Sequence, residues 1–256
     1  LLSTMKAYFE GKRELFDGLA IAQQEQEWKQ YPVLHLDLNA EKYSTPEALV
    51  GRLNVHLDRW EKQYGLPPAN TLSVSARFER VIINAAQQSE TKRVVVLVDE
   101  YDKPLLEAIG KPELQEEYRQ TLKAFYANIK SCDEHIRFAF LTGVTKFSHL
   151  TIFSGLNNLI DISMLPQYAE ICGITEAELH HNFDASVEEL AAANKLTKEE
   201  AYDRLKLDYD GYHFAAGSAG VYNPFSLLNT LAHKLFKHYW FATGTPNFLV
   251  EVLRKT

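Results

Sequence analysis

The chain has 256 residues, with 27 Lys and Arg against 34 Asp and Glu, giving a formal net charge of −7. Its 46% hydrophobic and 24% charged residues are the composition of a globular protein and exclude disordered and fibrous classes. The acidic balance leaves no overall electrostatic footprint for nucleic acid, Cys132 and Cys172 alone suit a reducing, cytoplasmic compartment, and the longest aliphatic run, Val94 to Val98, is far short of a membrane helix.

Residues 1–10 carry Leu1, Leu2, Met5, Tyr8 and Phe9 at helical spacing, and Gly11 stops the helix. The chain opens without an initiator Met or a signal-peptide pattern, so a fragment of a longer protein is expected. Residues 31–38 alternate Val33, His35 and Asp37 with Leu34, Leu36 and Leu38, the period of a strand. Thr45-Pro46-Glu47 predicts a capped helix start running to Tyr64 before Gly65, and a second helix follows over 72–88. The run Val94-Val95-Val96-Leu97-Val98 is apolar at every position, as in a strand buried on both faces. Pro112 opens a helix expected to reach residue 130, and residues 136–141 form the next strand, ending at Thr142-Gly143. A fourth strand is expected over 159–162. Strands separated by helices imply right-handed crossovers and a mostly parallel sheet. Beyond Pro166 the pattern is helical, over 176–181, 187–193, 198–205, 224–237 and 246–253, so the expected division is an α/β domain at 1–165 and a helical domain at 166–256.

The strongest chemical signal is the buried strand ending in Asp99-Glu100. Ligands of open α/β sheets collect at the carboxyl ends of the strands, where one acid can hold Mg²⁺ through its water shell and a second can polarise water. A polar turn leaving a buried strand explains the pair equally well. Thr142 ends the neighbouring strand, where its hydroxyl either senses a phosphate or caps a turn. The phosphate loop G-x-x-x-x-G-K-[ST] is met nowhere: Gly11-Lys12 and Gly110-Lys111 lack both the hydroxyl residue and the earlier glycine.

Four other features read as structural. His180 and His181 are adjacent and diverge by about 100° on a helix, so they cannot share a metal. The two cysteines are 40 positions apart and form no zinc motif. Tyr239, Trp240 and Phe241 read as packing rather than a base-stacking platform. Glu90-Thr91-Lys92 lacks the preceding strand aspartate of a nuclease core.

The segments Leu1-Leu2-Ser3-Thr4-Met5, Val98-Asp99-Glu100-Tyr101-Asp102-Lys103-Pro104, Thr142-Gly143-Val144-Thr145-Lys146-Phe147-Ser148, Leu156-Asn157-Asn158-Leu159, Tyr209-Asp210-Gly211-Tyr212, Tyr222-Asn223-Pro224-Phe225 and Thr243-Gly244-Thr245-Pro246 closely resemble the predicted AAA-ATPase-like family of bacterial P-loop proteins. The resemblance implies a P-loop NTPase-type parallel sheet followed by a helical lid-like domain. In that family a Gly-Lys-Ser loop directly precedes the Leu-Leu-Ser-Thr helix and a PD-(D/E)XK nuclease-like domain commonly follows, so the first strand and phosphate loop are expected upstream. With ATP and Mg²⁺ as cofactors of the intact protein, the resemblance makes Asp99 the metal-side acid, Glu100 the base (Asp102 being its fallback) and Thr142 the sensor. Thr145 and Lys146 are weaker phosphate-side candidates. The implied strand order is 5-1-4-3-2, with residues 33–38, 94–98 and 136–141 adjacent and 159–162 one empty position away from 136–141. No arginine occurs between Phe138 and Asp203, so a ring-type arginine finger has no residue there and a switch-like ATPase fits better than a hexameric motor. The alternative is a nucleotide-gated or nucleotide-independent interaction module without hydrolysis; a third reading is nucleic-acid binding through the helical part.

Overall fold

A computed structural model of the chain describes residues 1–144, 152–153 and 156–239. The chain divides into two compact units, Leu1–Leu159 and Ile160–Thr256.

The first unit is α/β. Its strands β1 (Val33–Asp37), β2 (Val94–Asp99) and β3 (Ile136–Leu141) form one parallel sheet in the order β1-β2-β3. The strand buried on both faces therefore stands in the middle, as the apolar run requires. Side chains alternate between faces. On one face Leu34, Leu36, Leu38, Val94, Val96 and Val98 pack into the main core. That core is completed by α3 (Pro46–Gln63), α4 (Val74–Gln88) and α6 (Pro112–Tyr126) through Leu53, Phe78 and Phe125 among others. On the opposite face Val95 and Leu97 meet Leu2, Met5 and Phe9 of α1 (Leu2–Phe9). The short helices α2 (Ala20–Gln24), α5 (Lys103–Glu107) and α7 (Asn128–Ser131) complete the unit's α-helices among the described residues.

Local sequence explains several boundaries. Ser73 caps α4 by accepting from the Ala76 N–H at 3.2 Å. Thr45 precedes α3, but its side chain makes no capping bond; Pro46 alone sets the first turn, and the Thr45 carbonyl accepts from Tyr118 Oη at 2.6 Å. Gly65 closes that helix at φ +65°, a conformation that favours glycine. The helix expected over 112–130 breaks at Ala127, where the Asn128 amide donates to the Phe125 carbonyl and to Ser75 of α4.

The expected strand over 159–162 does not form. A strand needs ladder partners, and none of the three strands pairs with this segment. Leu159 instead packs against the core while Ile160 is 80% exposed.

The second unit is helical, with α8 (Glu176–Asn194), α9 (Lys198–Tyr209) and α10 (Pro224–His233). Its core includes Leu179, Val187, Leu190, Leu205, Tyr222 and Leu227. Two helices expected over 176–181 and 187–193 are one. A capping box between Thr175 and Glu178 starts it, and buried Leu179, Val187 and Leu190 carry it across the polar 182–186 stretch. Helix α10 stops earlier than expected because Lys234 turns left-handed at φ +53°. The helix expected over 246–253 lies outside the described residues. Two isolated antiparallel bridges, Ile174 with Tyr222 and Tyr212 with Val221, are the β pairing described in this unit.

Candidate nucleotide site at the carboxyl end of the sheet

Parallel register places the ends of the three strands side by side. Asp37 of β1 is the register partner of Asp99 of β2, so both carboxylates project from the same face. Leu97 pairs with Phe140, and two residues further Thr142 reaches the level of Asp99. The Thr142 hydroxyl donates to Asp99 Oδ1 at 2.7 Å and accepts the Glu100 N–H at 3.3 Å. Asp99 Oδ2 carries no hydrogen bond among the described residues.

Glu100 leaves β2 with φ +51°, a left-handed backbone that a non-glycine residue rarely adopts. Partial burial pushes its carboxyl pKa up; Lys103 pulls it back, and Asp99, Asp102 and Asp37 push it further up. A carboxylate raised in this way is a better proton acceptor near neutral pH.

The sheet end is braced from α3. Arg52 donates through Nε and Nη2 to the Asp37 carbonyl at 2.9 and 2.7 Å, and His56 Nε2 lies 3.2 Å from the same oxygen. His35, one step below Asp37 on the same face, has its pKa lowered by burial and by Lys6, against the pull of Asp99 and Asp37. Asp102 is 0% exposed, and both its oxygens approach the Val144 N–H, at 3.0 and 3.1 Å.

The family model described as a predicted AAA-ATPase matches residues 1–153, the stretch that contains this sheet and all of these residues. The chain belongs to the predicted AAA-ATPase family. It is also similar to an uncharacterized protein in the vnfD 5′ region of Azotobacter chroococcum mcd 1, with 38% identity over 252 residues. The match covers 98% of this chain and 46% of that relative, so the chain spans about half the relative's length. No solved structure matches the chain.

The structure thus brings together Asp99, Glu100 and Thr142, the candidate site residues read from the sequence. Lys146 and Thr145 lie outside the described residues. Asp102, the fallback base, is fully buried with both its oxygens close to the Val144 N–H. Among the described residues no group of three His, Cys, Asp or Glu is placed to hold a metal ion, which includes His180, His181, Cys132 and Cys172. His180 instead stacks on Tyr202 with ring centroids 4.0 Å apart. A nucleotide-bound Mg²⁺ does not need such a cage, because it takes one or two carboxylates and fills its shell with water and phosphate oxygens. Asp99, with one oxygen held by Thr142 and the other open, fits that demand. No described helix is long and apolar enough to cross a membrane.

Asp37, Lys103 and Gly143 are neighbours of the site that sequence reasoning passed over. Asp37 carried a usable signal, since it ends the polar face of an alternating strand. Gly143 is readable only in three dimensions: a Cβ there would lie 2.3 Å from Tyr101 Cε1 and 2.8 Å from Asp102 Oδ1. In Tyr209-Asp210-Gly211-Tyr212, Gly211 makes the turn at φ +112°, Tyr209 is packed and Tyr212 is exposed.

Proposed function

We propose that this chain carries the acid and sensor elements of an ATP-binding, ATP-hydrolysing P-loop ATPase of the switch type. Family membership supports the class, and the hydrogen bond from Thr142 to Asp99 at the carboxyl end of the central strand is the observation that carries the reading. Bound Mg²⁺ would supply charge neutralisation at the β- and γ-phosphates. Asp99 is the residue that would hold it. Glu100, raised in basicity by burial and beside a second acid, orients water and accepts its proton. Thr142 lies at the same level as Asp99 on the next strand and reports a phosphate through its hydroxyl. Lys146 follows four residues later and is proposed as a phosphate-side cation. A nuclease-like domain in the complete protein belongs to the same proposal, on the strength of the resemblance alone.

Calorimetry of the complete protein tests this. ATP binding should depend on Mg²⁺, and Asp99→Ala should weaken Mg²⁺-ATP binding about tenfold or more while leaving metal-free ATP binding within about twofold. Equal binding of Mg²⁺-ATP by both proteins contradicts the assignment of Asp99. Absence of nucleotide binding by the complete protein favours the interaction module.

A further inference from the structure

The acidic turn after β2 and the segment after β3 are joined residue by residue. The Thr142 N–H donates to the Val98 carbonyl at 2.9 Å, and its hydroxyl bridges Asp99 and the Glu100 N–H. The Thr142 carbonyl accepts the Tyr101 N–H at 2.8 Å. Two residues on, the Val144 N–H is taken by Asp102. Every residue from Val98 to Asp102 therefore holds some atom of Thr142 or Val144. Between these two points Gly143 leaves no room for a side chain, because a Cβ would collide with the Tyr101 ring and with Asp102 itself.

Most of this lacing is backbone and follows from strand pairing. Asp102 is different, since its carboxylate is fully buried and reaches an amide 42 positions away rather than its own turn. Burying a carboxylate is costly, so one that reaches a backbone amide across the fold points to what that segment positions. We propose that Asp102 is a positioning residue: by pinning the Val144 N–H it fixes the segment that sets the Thr142 hydroxyl against Asp99 and the Glu100 backbone. The inference rests on the ATPase reading of Asp99, Glu100 and Thr142. Without the pin, Thr142 keeps its strand-end bonds but loses the downstream anchor, and its hydroxyl samples other orientations. Errors of about 1 Å in such a site cost about 10²-fold in rate. Ground-state nucleotide binding, made largely by phosphate contacts elsewhere, stays.

The test compares Asp102→Ala and Asp102→Asn with wild type in the complete protein, using steady-state ATP hydrolysis and amide hydrogen exchange. Asp102→Ala should lower kcat roughly 10- to 100-fold with KM for ATP within about threefold, because an orienting interaction is lost rather than a binding one. Exchange at Val144 should speed up at least tenfold while Val95–Val98 stay protected. Asp102→Asn retains an acceptor oxygen in the same place and should recover kcat to within about threefold of wild type, with slow Val144 exchange. The proposal is overturned if Asp102→Ala leaves both kcat and Val144 exchange unchanged. It is equally overturned if Asp102→Asn folds with Val144 protected yet loses kcat as Asp102→Ala does, since the charge itself would then be needed. Should Asp102→Ala fail to fold, the Asp102→Asn arm decides alone on the same two readouts. If wild type hydrolyses no ATP, the ATPase reading fails and the positioning role with it; accelerated Val144 exchange in Asp102→Ala would then mark a purely structural strap.

Discussion

A left-handed Glu100 is the local cost of turning the chain at the end of β2, where a glycine would be easier. Keeping a glutamate there partly buries its carboxyl, and that burial raises its pKa against the opposing pull of Lys103. His56 shows how the same sheet end is sensitive to pH. It is 3% exposed, its Nε2–H meets the Asp37 carbonyl, its Nδ1 has no partner among the described residues, and burial together with Arg52 pushes its pKa down to about 4. Above its ordinary value of 6.5 the ring is neutral folded and unfolded, so its full contribution is present there. As pH falls from about 6.5 toward about 4, the unfolded chain takes up a proton that the folded chain refuses, and stability is lost over that window. The loss should approach roughly 3 kcal/mol and level off below pH about 4. Urea unfolding across this range should show His56→Gln, which keeps a donor but does not titrate, with a flatter profile than wild type; parallel profiles would contradict it. The acid pair was legible because five apolar residues end abruptly in Asp99-Glu100. Asp102 was not legible as a strap, because its partner is 42 positions away and nothing local announces it.

At the scale of elements, the buried central strand and its two neighbours were readable from apolar pattern alone, and the family resemblance supplied their order. Register was not readable, so the pairing of Asp37 with Asp99 emerged only from the fold. The segment over 159–162 had the composition of a strand but pairs with neither outer edge of the three-stranded sheet, and 176–193 joined into one helix because tertiary burial outweighed weak local propensity. The contact between α3 and α4 hides a polar network that pattern reading also missed. Arg77, 2% exposed, donates to Glu61, also 2% exposed, at 2.6 Å, and further to Asp58 and Asn54. Removing one member leaves the other charge buried, with Arg80 at 3.8 Å as Glu61's remaining ion-pair partner among the described residues. Arg77→Met should destabilise the protein by about 3–5 kcal/mol. The double variant Arg77→Met with Glu61→Leu should recover most of that loss. Equilibrium unfolding followed by fluorescence of Trp60, packed on Phe78 at 5.8 Å, reads both effects; additive losses would show that the pair is not coupled.

On the scale of the whole molecule, these 256 residues hold the paired strand-end acids Asp99 and Glu100 and no G-x-x-x-x-G-K-[ST] loop. Backbone N–H groups of such a loop make most phosphate contacts. The 256-residue chain by itself should therefore show no calorimetric ATP binding at millimolar nucleotide, and micromolar affinity would reveal a phosphate site built differently. Hydrolysis by the acids at the end of β2 in the complete protein is tested by single-turnover ATP cleavage with Glu100→Gln. The expected result is ATP binding within about twofold of wild type and cleavage slowed about 10²-fold or more, as loss of a general base requires. Cleavage at the wild-type rate would rule out Glu100 as the base and move that role elsewhere.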